Sequence, residues 1–164
     1  MSPCSPAELE ARLRLHSLPE IGPQRFYRLL KVFASASAAL SAPGAAWRSL
    51  GLPQASVDAR RSEEVREQAL QALRWLENSQ HHLLLHDSPN YPALLKETAG
   101  APPLLFVQGD AAILEQPQIA IVGSRRATRP GLDTAHSFAR SLAEGGFVVT
   151  SGLALGVDAA AHQG

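Results

Sequence analysis

Two glycine-containing turns in the second half of the chain carry the residue types that bind anions. Each turn directly follows a short apolar run, at residues 119–122 and 147–150. Glycine lets a bound group approach the backbone closely, hydroxyl and backbone N–H groups donate hydrogen bonds, and arginine makes two-pronged contacts with phosphate. The sequence therefore predicts a phosphate-binding site built from Gly123, Ser124, Arg125 and Thr128 of the first turn (residues 123–128) and from Ser151, Gly152 and Gly156 of the second turn (residues 151–156).

The spacing of the two turns indicates how they are positioned. Gly123 and Gly152 lie 29 positions apart, which is the length of one strand–helix–strand unit. A helix is predicted from about Gly131 to Glu144, and Gly145 follows it as a terminating residue. Because the carboxyl ends of parallel strands meet at one sheet edge, both turns are expected to open on the same edge, where α/β proteins bind ligands.

The two apolar runs lack alternation, which predicts strands covered on both faces in a parallel sheet. Neither turn is a standard nucleotide motif: no Gly-x-Gly-x-x-Gly and no Gly-x-x-x-x-Gly-Lys-Ser/Thr pattern follows either strand. Binding of a nicotinamide dinucleotide is therefore disfavoured, and no cofactor is expected.

The composition indicates a soluble globular protein without an overall attraction to nucleic acid. Of the 164 residues, 45% are hydrophobic and 18% charged, and fifteen basic residues balance fifteen acidic ones. Anion binding must therefore come from a local site. One cysteine excludes an internal disulfide, no apolar run has transmembrane length, and the segment around Met1 has no secretory signal. A cytoplasmic location is expected.

The first 78 residues are predicted to form helices. Ser5 and Pro6 have the pattern of a helix start, and Ser62 begins a long amphipathic helix. A turn at Gly22 opens another helix, which carries Phe26, Leu29, Leu30 and Phe33 on one face.

From about residue 79 the pattern changes to strands and turns. Residues 82–86 and 104–108 are predicted strands, and a short helix follows at residues 110–114. Two domains are therefore expected, a helical one at residues 1–78 and an α/β one at residues 79–164.

Three further residue groups have an alternative to a purely structural role. Asp158 and His162 share a helix face, and Ser151 or Ser124 would be the nucleophile of a catalytic set, although a helix-terminal acid is the favoured interpretation. His82 and His86 share a strand face, but no carboxylate or cysteine joins them at the spacing of metal ligands. Neither a metal site nor a catalytic site is predicted. The tryptophans, Trp47 and Trp75, are interpreted as packing residues rather than base-stacking platforms.

Residues 18–25 are similar to half of a helix-hairpin-helix, whose turn presents backbone N–H groups to a DNA phosphate. Glu20 occupies the first glycine position of that motif. A small helical packing module is an equally good interpretation of this segment.

The motifs together resemble the DNA-processing protein A (DprA/Smf) family. The resemblance rests on residues 122–125, Thr128, Gly131, residues 151–158 and residues 161–164, and on residues 18–22, 90–95 and 102–109. It implies a sterile-alpha-motif-like helical domain followed by part of an extended Rossmann-like parallel sheet. It also implies that Gly123, Ser124 and Arg125 hold phosphate.

The same resemblance implies a function. Members of the family bind single-stranded DNA without sequence preference, protect incoming strands in natural transformation and help to load the RecA recombinase. They act as homodimers and are not enzymes. The family's Rossmann domain continues beyond the position of Gly164, so this chain is expected to be the front portion of a longer protein. The alternative is a nucleotide-processing enzyme of the nucleoside-monophosphate phosphoribohydrolase type on a related fold.

Overall fold

The computed structural model describes residues 4–164, which form two compact units at residues 4–110 and 111–164. The prediction that the chain start carries no secretory signal falls partly on the first three residues, which lie outside the described residues. The unit boundary falls later than the change in sequence pattern at residue 78, because the strands at residues 81–108 belong to the helical unit. No helix in the described part is long and apolar enough to span a membrane.

Helices of the first unit begin where the sequence places their caps. Ser5 Oγ accepts the Glu8 N–H, and Ser62 Oγ accepts the Val65 N–H, so each satisfies a backbone donor of the first turn. Gly22 is the cap that precedes Pro23. The helices are α1 Pro6–Ser17, α2 Pro23–Phe33, α3 Ala36–Ser41, α4 Gly44–Ser49, α5 Gln54–Ala59 and α6 Glu63–Trp75.

One hydrophobic core holds these helices together. Trp47 is completely buried, and its indole N–H donates to the Ala39 carbonyl at 2.8 Å. Phe26 and Leu29 from the predicted face of α2 are buried in the same core, while Leu30 and Phe33 are partly buried against it. The predicted apolar face of α2 is therefore confirmed.

The strands β1 His81–Leu85 and β2 Leu104–Gln108 pair antiparallel, with the short helix α7 Ala93–Lys96 between them. They do not join the parallel strands of the second unit in the described residues. Strands were predicted from the sequence at residues 82–86 and 104–108, and both are present; Leu104 of β2 packs with Leu13 and Ala69 of the helices.

Polar contacts fasten the antiparallel pair to the helices. Arg12 of α1 donates two hydrogen bonds of 2.7 Å to the Asp87 carboxylate, immediately after β1. These bonds hold the pKa of Asp87 below its usual range. The phenol of Tyr27 donates to the Ala101 carbonyl, which adds a contact from α2.

The second unit contains the predicted strand–helix–strand arrangement. A 3-10 helix, Ala111–Glu115, precedes β3 Gln118–Ala120, α8 Arg129–Glu144, β4 Val148–Thr150 and α9 Val157–Gln163. Strands β3 and β4 are parallel neighbours, with Ile119 opposite Val149. Both are shorter than the apolar runs predict and neither has a buried residue, so the expectation of cover on both faces is not met within the described residues.

Candidate anion-binding site

The two glycine-containing turns leave neighbouring parallel strands at the same sheet edge, as predicted. The Ile121 N–H donates to the Thr150 carbonyl at 2.9 Å, which continues the ladder beyond β3. The Ser151 hydroxyl then donates to the Ile121 carbonyl at 2.7 Å. These bonds fix the starting points of both turns relative to each other.

A close backbone approach joins the turns again at their far ends. The Val157 N–H donates to the Ser124 carbonyl at 3.2 Å. Gly156 has a φ of +85°, and a Cβ placed on it would lie only 2.2 Å from the Ser124 oxygen. A Cβ on Gly123 would in turn lie 2.7 Å from the Val157 side chain. Both glycines are therefore needed for the turns to pack against each other.

The first turn leaves its anion-binding groups open. Within residues 4–164, the backbone N–H groups of Gly123, Ser124 and Arg125 have no hydrogen-bond partner. Ser124 Oγ accepts the Arg126 N–H at 3.0 Å, so its own hydrogen remains available to a ligand. Arg125 is exposed and forms no ion pair within the same residues. The arrangement offers both charge and oriented donors to an anion.

Thr128 connects this turn to the long helix α8. Its Oγ1 accepts the Gly131 N–H at 3.4 Å, which is a helix cap. The positive pole of a 16-residue helix therefore begins directly after the first turn. Thr128 was predicted as a phosphate contact; in the structure its oxygen stabilises the helix start.

In the second turn, a carboxylate of the protein itself occupies a backbone donor. The Gly152 N–H donates to Asp158 Oδ2 at 3.1 Å, and Asp158 is 8% exposed. The Ser151 hydroxyl is engaged by the Ile121 carbonyl, as described above. Ser151, Gly152 and Gly156 were predicted to share a phosphate with the first turn. In the structure the Ser151 hydroxyl and the Gly152 N–H have partners within the protein, and the Asp158 carboxylate occupies the donor of Gly152.

Asp158 was interpreted from the sequence as a helix-terminal acid, and it lies in the first turn of α9. The hydrogen bond that its carboxylate accepts from the Gly152 N–H was not predicted. His162 Nε2 lies 3.4 Å from the Ser151 carbonyl oxygen, whereas Asp158 accepts the Gly152 N–H. The six-residue separation of Gly152 and Asp158 is the signal that was available, since a carboxylate can close a loop onto the N-terminal turn of the next helix.

The histidines after α6 have separate structural contacts. His81 stacks on Trp75 with ring centres 3.8 Å apart, and His86 lies between Tyr27 and Tyr91. No group of three or more metal-ligating side chains occurs in the part of the chain that the structure describes.

A groove of about 560 Å³ lies between α8 and α9 and meets the second turn only at Gly156. Arg129 on its wall forms an ion pair with Asp133 of the same helix at 3.4 Å, between two exposed side chains. The positive charge of Arg129 is thereby balanced locally, and the open donors lie in the first turn rather than in this groove.

The segment similar to half of a helix-hairpin-helix forms a tight turn between α1 and α2. Glu20, at the first glycine position of that motif, has a φ of +59°, a region that favours glycine. Its carbonyl accepts a hydrogen bond of 2.6 Å from Arg25 Nη1. The backbone therefore has the shape expected of the motif although the residue differs.

Comparison with protein families places both parts of the chain. A family model described as DNA recombination-mediator protein A matches residues 82–164. A second model, described as a DprA-like N-terminal HHH domain, matches residues 6–67. The predicted change of domain near residue 78 lies between the two matched regions.

Individual relatives agree with these matches. Protein Smf of Escherichia coli (strain K12) is 42% identical over 92 residues, covering 56% of this chain and 25% of that protein. DNA processing protein DprA of Streptococcus pneumoniae is 42% identical over 73 residues, or 44% and 26% of the two chains. The aligned regions thus cover about a quarter of the length of these curated relatives.

A solved structure matches nearly the whole chain. It is the X-ray structure of DNA processing protein A from Streptococcus pneumoniae, with a TM-score of 0.62 and 25% sequence identity. The match covers 98% of this chain and 53% of that one. Its extent includes both the helical part and the parallel strand pair with the two turns.

Proposed function

Since the chain belongs to the DNA recombination-mediator protein A family, we propose that it binds single-stranded DNA through backbone phosphates at the first turn. The observation that carries the proposal is the set of open N–H groups at Gly123, Ser124 and Arg125 beside an exposed, unpaired guanidinium. These donors recognise phosphate oxygens and touch no base edge. Binding of this kind is independent of DNA sequence.

The second turn contributes to this function by position rather than by contact. Gly156 leaves room for the Ser124 carbonyl, the Val157 N–H donates to that carbonyl, and Asp158 accepts the Gly152 N–H. A buried carboxylate also repels a second phosphate from the Gly152 amide, which confines the anion to the first turn.

The family relationship supports a wider proposal for the complete protein. It acts in DNA processing during natural transformation and recombination, protects incoming single strands and helps to load the RecA recombinase. It acts as a homodimer in the cytoplasm and has no catalytic activity of its own. The relatives named DNA processing protein support the first part of this proposal, and the engagement of Ser151 and Asp158 by backbone groups supports the last.

Replacing Arg125 tests the proposed contact. We expect Arg125→Ala to weaken binding of a fluorescein-labelled oligodeoxythymidylate about tenfold or more, because it removes charge-assisted hydrogen bonds to a phosphate. The dependence of log affinity on log salt concentration is expected to become shallower by about 0.7 per lost phosphate contact. Fluorescence anisotropy at several salt concentrations measures both quantities.

Arg126→Ala is the matched control, since it removes the same charge from the neighbouring exposed position. We expect it to reduce affinity less than Arg125→Ala. Equal affinities of wild type and Arg125→Ala, with equal salt slopes, would contradict the assignment. Release of free base from a nucleoside monophosphate would instead support the phosphoribohydrolase alternative.

A further inference from the structure

Three arginines from different parts of the helical unit converge at the start of α4. Arg48 lies on α4, Arg60 directly follows α5, and Arg14 lies on α1. The position where a Cβ on Gly44 would stand is 3.2 Å from Arg60 Nη2 and 3.4 Å from Arg48 Nη1. Arg14 Nη2 donates to the Arg60 carbonyl at 3.2 Å. We refer to Arg14, Arg48 and Arg60 as the arginine cluster.

No carboxylate within residues 4–164 neutralises the arginine cluster. The ion pairs of this part of the chain involve other arginines, namely Arg12, Arg66, Arg74, Arg129 and Arg140. Asp58, two residues before Arg60, accepts a hydrogen bond from Gln54. The cluster therefore brings guanidinium charges together without a carboxylate partner.

Buried donors without partners mark the same place. Arg14 Nε and Arg60 Nε are the buried side-chain nitrogens that lack a hydrogen-bond partner in the described residues. Leaving a buried polar group unsatisfied costs free energy, so the two nitrogens mark unused hydrogen-bond donors at this place. Both nitrogens belong to the arginine cluster. Their lack of partners is an observation separate from the distances around Gly44.

Neutral backbone groups hold the cluster in shape before any ligand binds. Arg60 Nη1 donates to the Val57 carbonyl at the end of α5, while Arg14 donates to the Arg60 carbonyl. A Cβ on Gly44 would also lie 3.1 Å from the Val57 side chain, so glycine is what lets Arg48 and Arg60 approach the backbone here. Arg48 is exposed and completes the cluster from the solvent side.

We propose that the arginine cluster is a second anion site, at which Arg48 and Arg60 bind one phosphate group. Forked guanidinium groups match the geometry of phosphate oxygens better than any other side chain. The ligand is either a free phosphate or a phosphate of a DNA strand, which offer the same oxygens to the two arginines. This site does not depend on DNA binding at the first turn, because inorganic phosphate alone tests it.

The test is a titration of the 164-residue chain with inorganic phosphate, observed through the side-chain Nε–Hε signals of its arginines and the backbone signals of α4. Sodium chloride keeps the ionic strength constant. We expect saturable shifts at Arg60 and α4, and we expect the affinity for phosphate obtained from them to fall roughly tenfold in Arg48→Ala. Arg66→Ala removes an equal charge from the exposed face of α6 and should leave phosphate binding unchanged.

A second arm replaces phosphate by oligodeoxythymidylate in the Arg125→Ala background. Shifts at the arginine cluster with the oligonucleotide identify a DNA phosphate as the ligand, and shifts with inorganic phosphate alone identify a free phosphate. Arg48→Lys keeps the charge and the fold and is expected to restore part of the affinity. Absence of saturable shifts with both probes, or equal loss in Arg48→Ala and Arg66→Ala, would overturn the proposal.

Discussion

Gly156→Ala is expected to destabilise the second unit by about 3 kcal/mol or more, because alanine would have to adopt a glycine-favouring backbone conformation (φ +85°, ψ −128°) and would also displace neighbouring backbone atoms. The new Cβ would lie 2.2 Å from the Ser124 oxygen and 2.8 Å from the Arg125 carbonyl carbon. Neither backbone atom can move without separating the two turns. Amide hydrogen exchange of β4 measures the effect, because protection there depends on the free energy of opening this unit.

Gly146→Ala provides the matched control for Gly156→Ala. Gly146 has nearly the same φ, +84°, but nothing lies within 4 Å of its added Cβ. This variant measures the cost of a positive φ without a steric contact, about 1–2 kcal/mol. Similar losses of protection in both variants would show that the turns do not pack as closely as described, whereas a much larger loss in Gly156→Ala is expected.

Trp47→Ala is expected to lower the free energy of unfolding of the helical unit by about 3–5 kcal/mol, the range observed when a large buried aromatic is deleted. The indole is completely buried, and its removal also leaves the Ala39 carbonyl without its 2.8 Å donor. Urea denaturation followed by far-ultraviolet circular dichroism measures the loss.

Trp75→Ala is the comparison, since Trp75 is only partly buried and stacks on His81. We expect a clearly smaller loss of stability than in Trp47→Ala. Neither substitution should change affinity for an oligonucleotide at the first turn, because both tryptophans have packing partners in the helical unit. A drop in DNA affinity without a drop in stability in Trp75→Ala would favour the base-stacking interpretation instead.

Features encoded by neighbouring residues could be predicted from the sequence. Ser5 and Ser62 cap their helices, and the hydroxyl-to-amide contact of such a cap spans only three residues. The spacing of Gly123 and Gly152 likewise predicted adjacent parallel strands, since a short connection with one helix permits few other arrangements. Both turns indeed leave the same sheet edge.

Features that depend on distant residues were not predictable in the same way. The Asp158 carboxylate closes the second turn, a contact that periodicity does not reveal. The pairing of β1 with β2 places a hairpin in the helical unit, because Leu104 finds its apolar partners on α1 and α6. The meeting of Arg14, Arg48 and Arg60 requires the packing of separate helices, so no sequence motif announces it.

The most direct test of the central claim compares amide signals of the two turns during titration with oligodeoxythymidylate. The first turn has open N–H groups, whereas the Gly152 N–H is held by Asp158. We expect large, saturable shifts for Gly123, Ser124 and Arg125 and little change for Gly152. A dominant shift at Gly152, with the first turn unaffected, would contradict it.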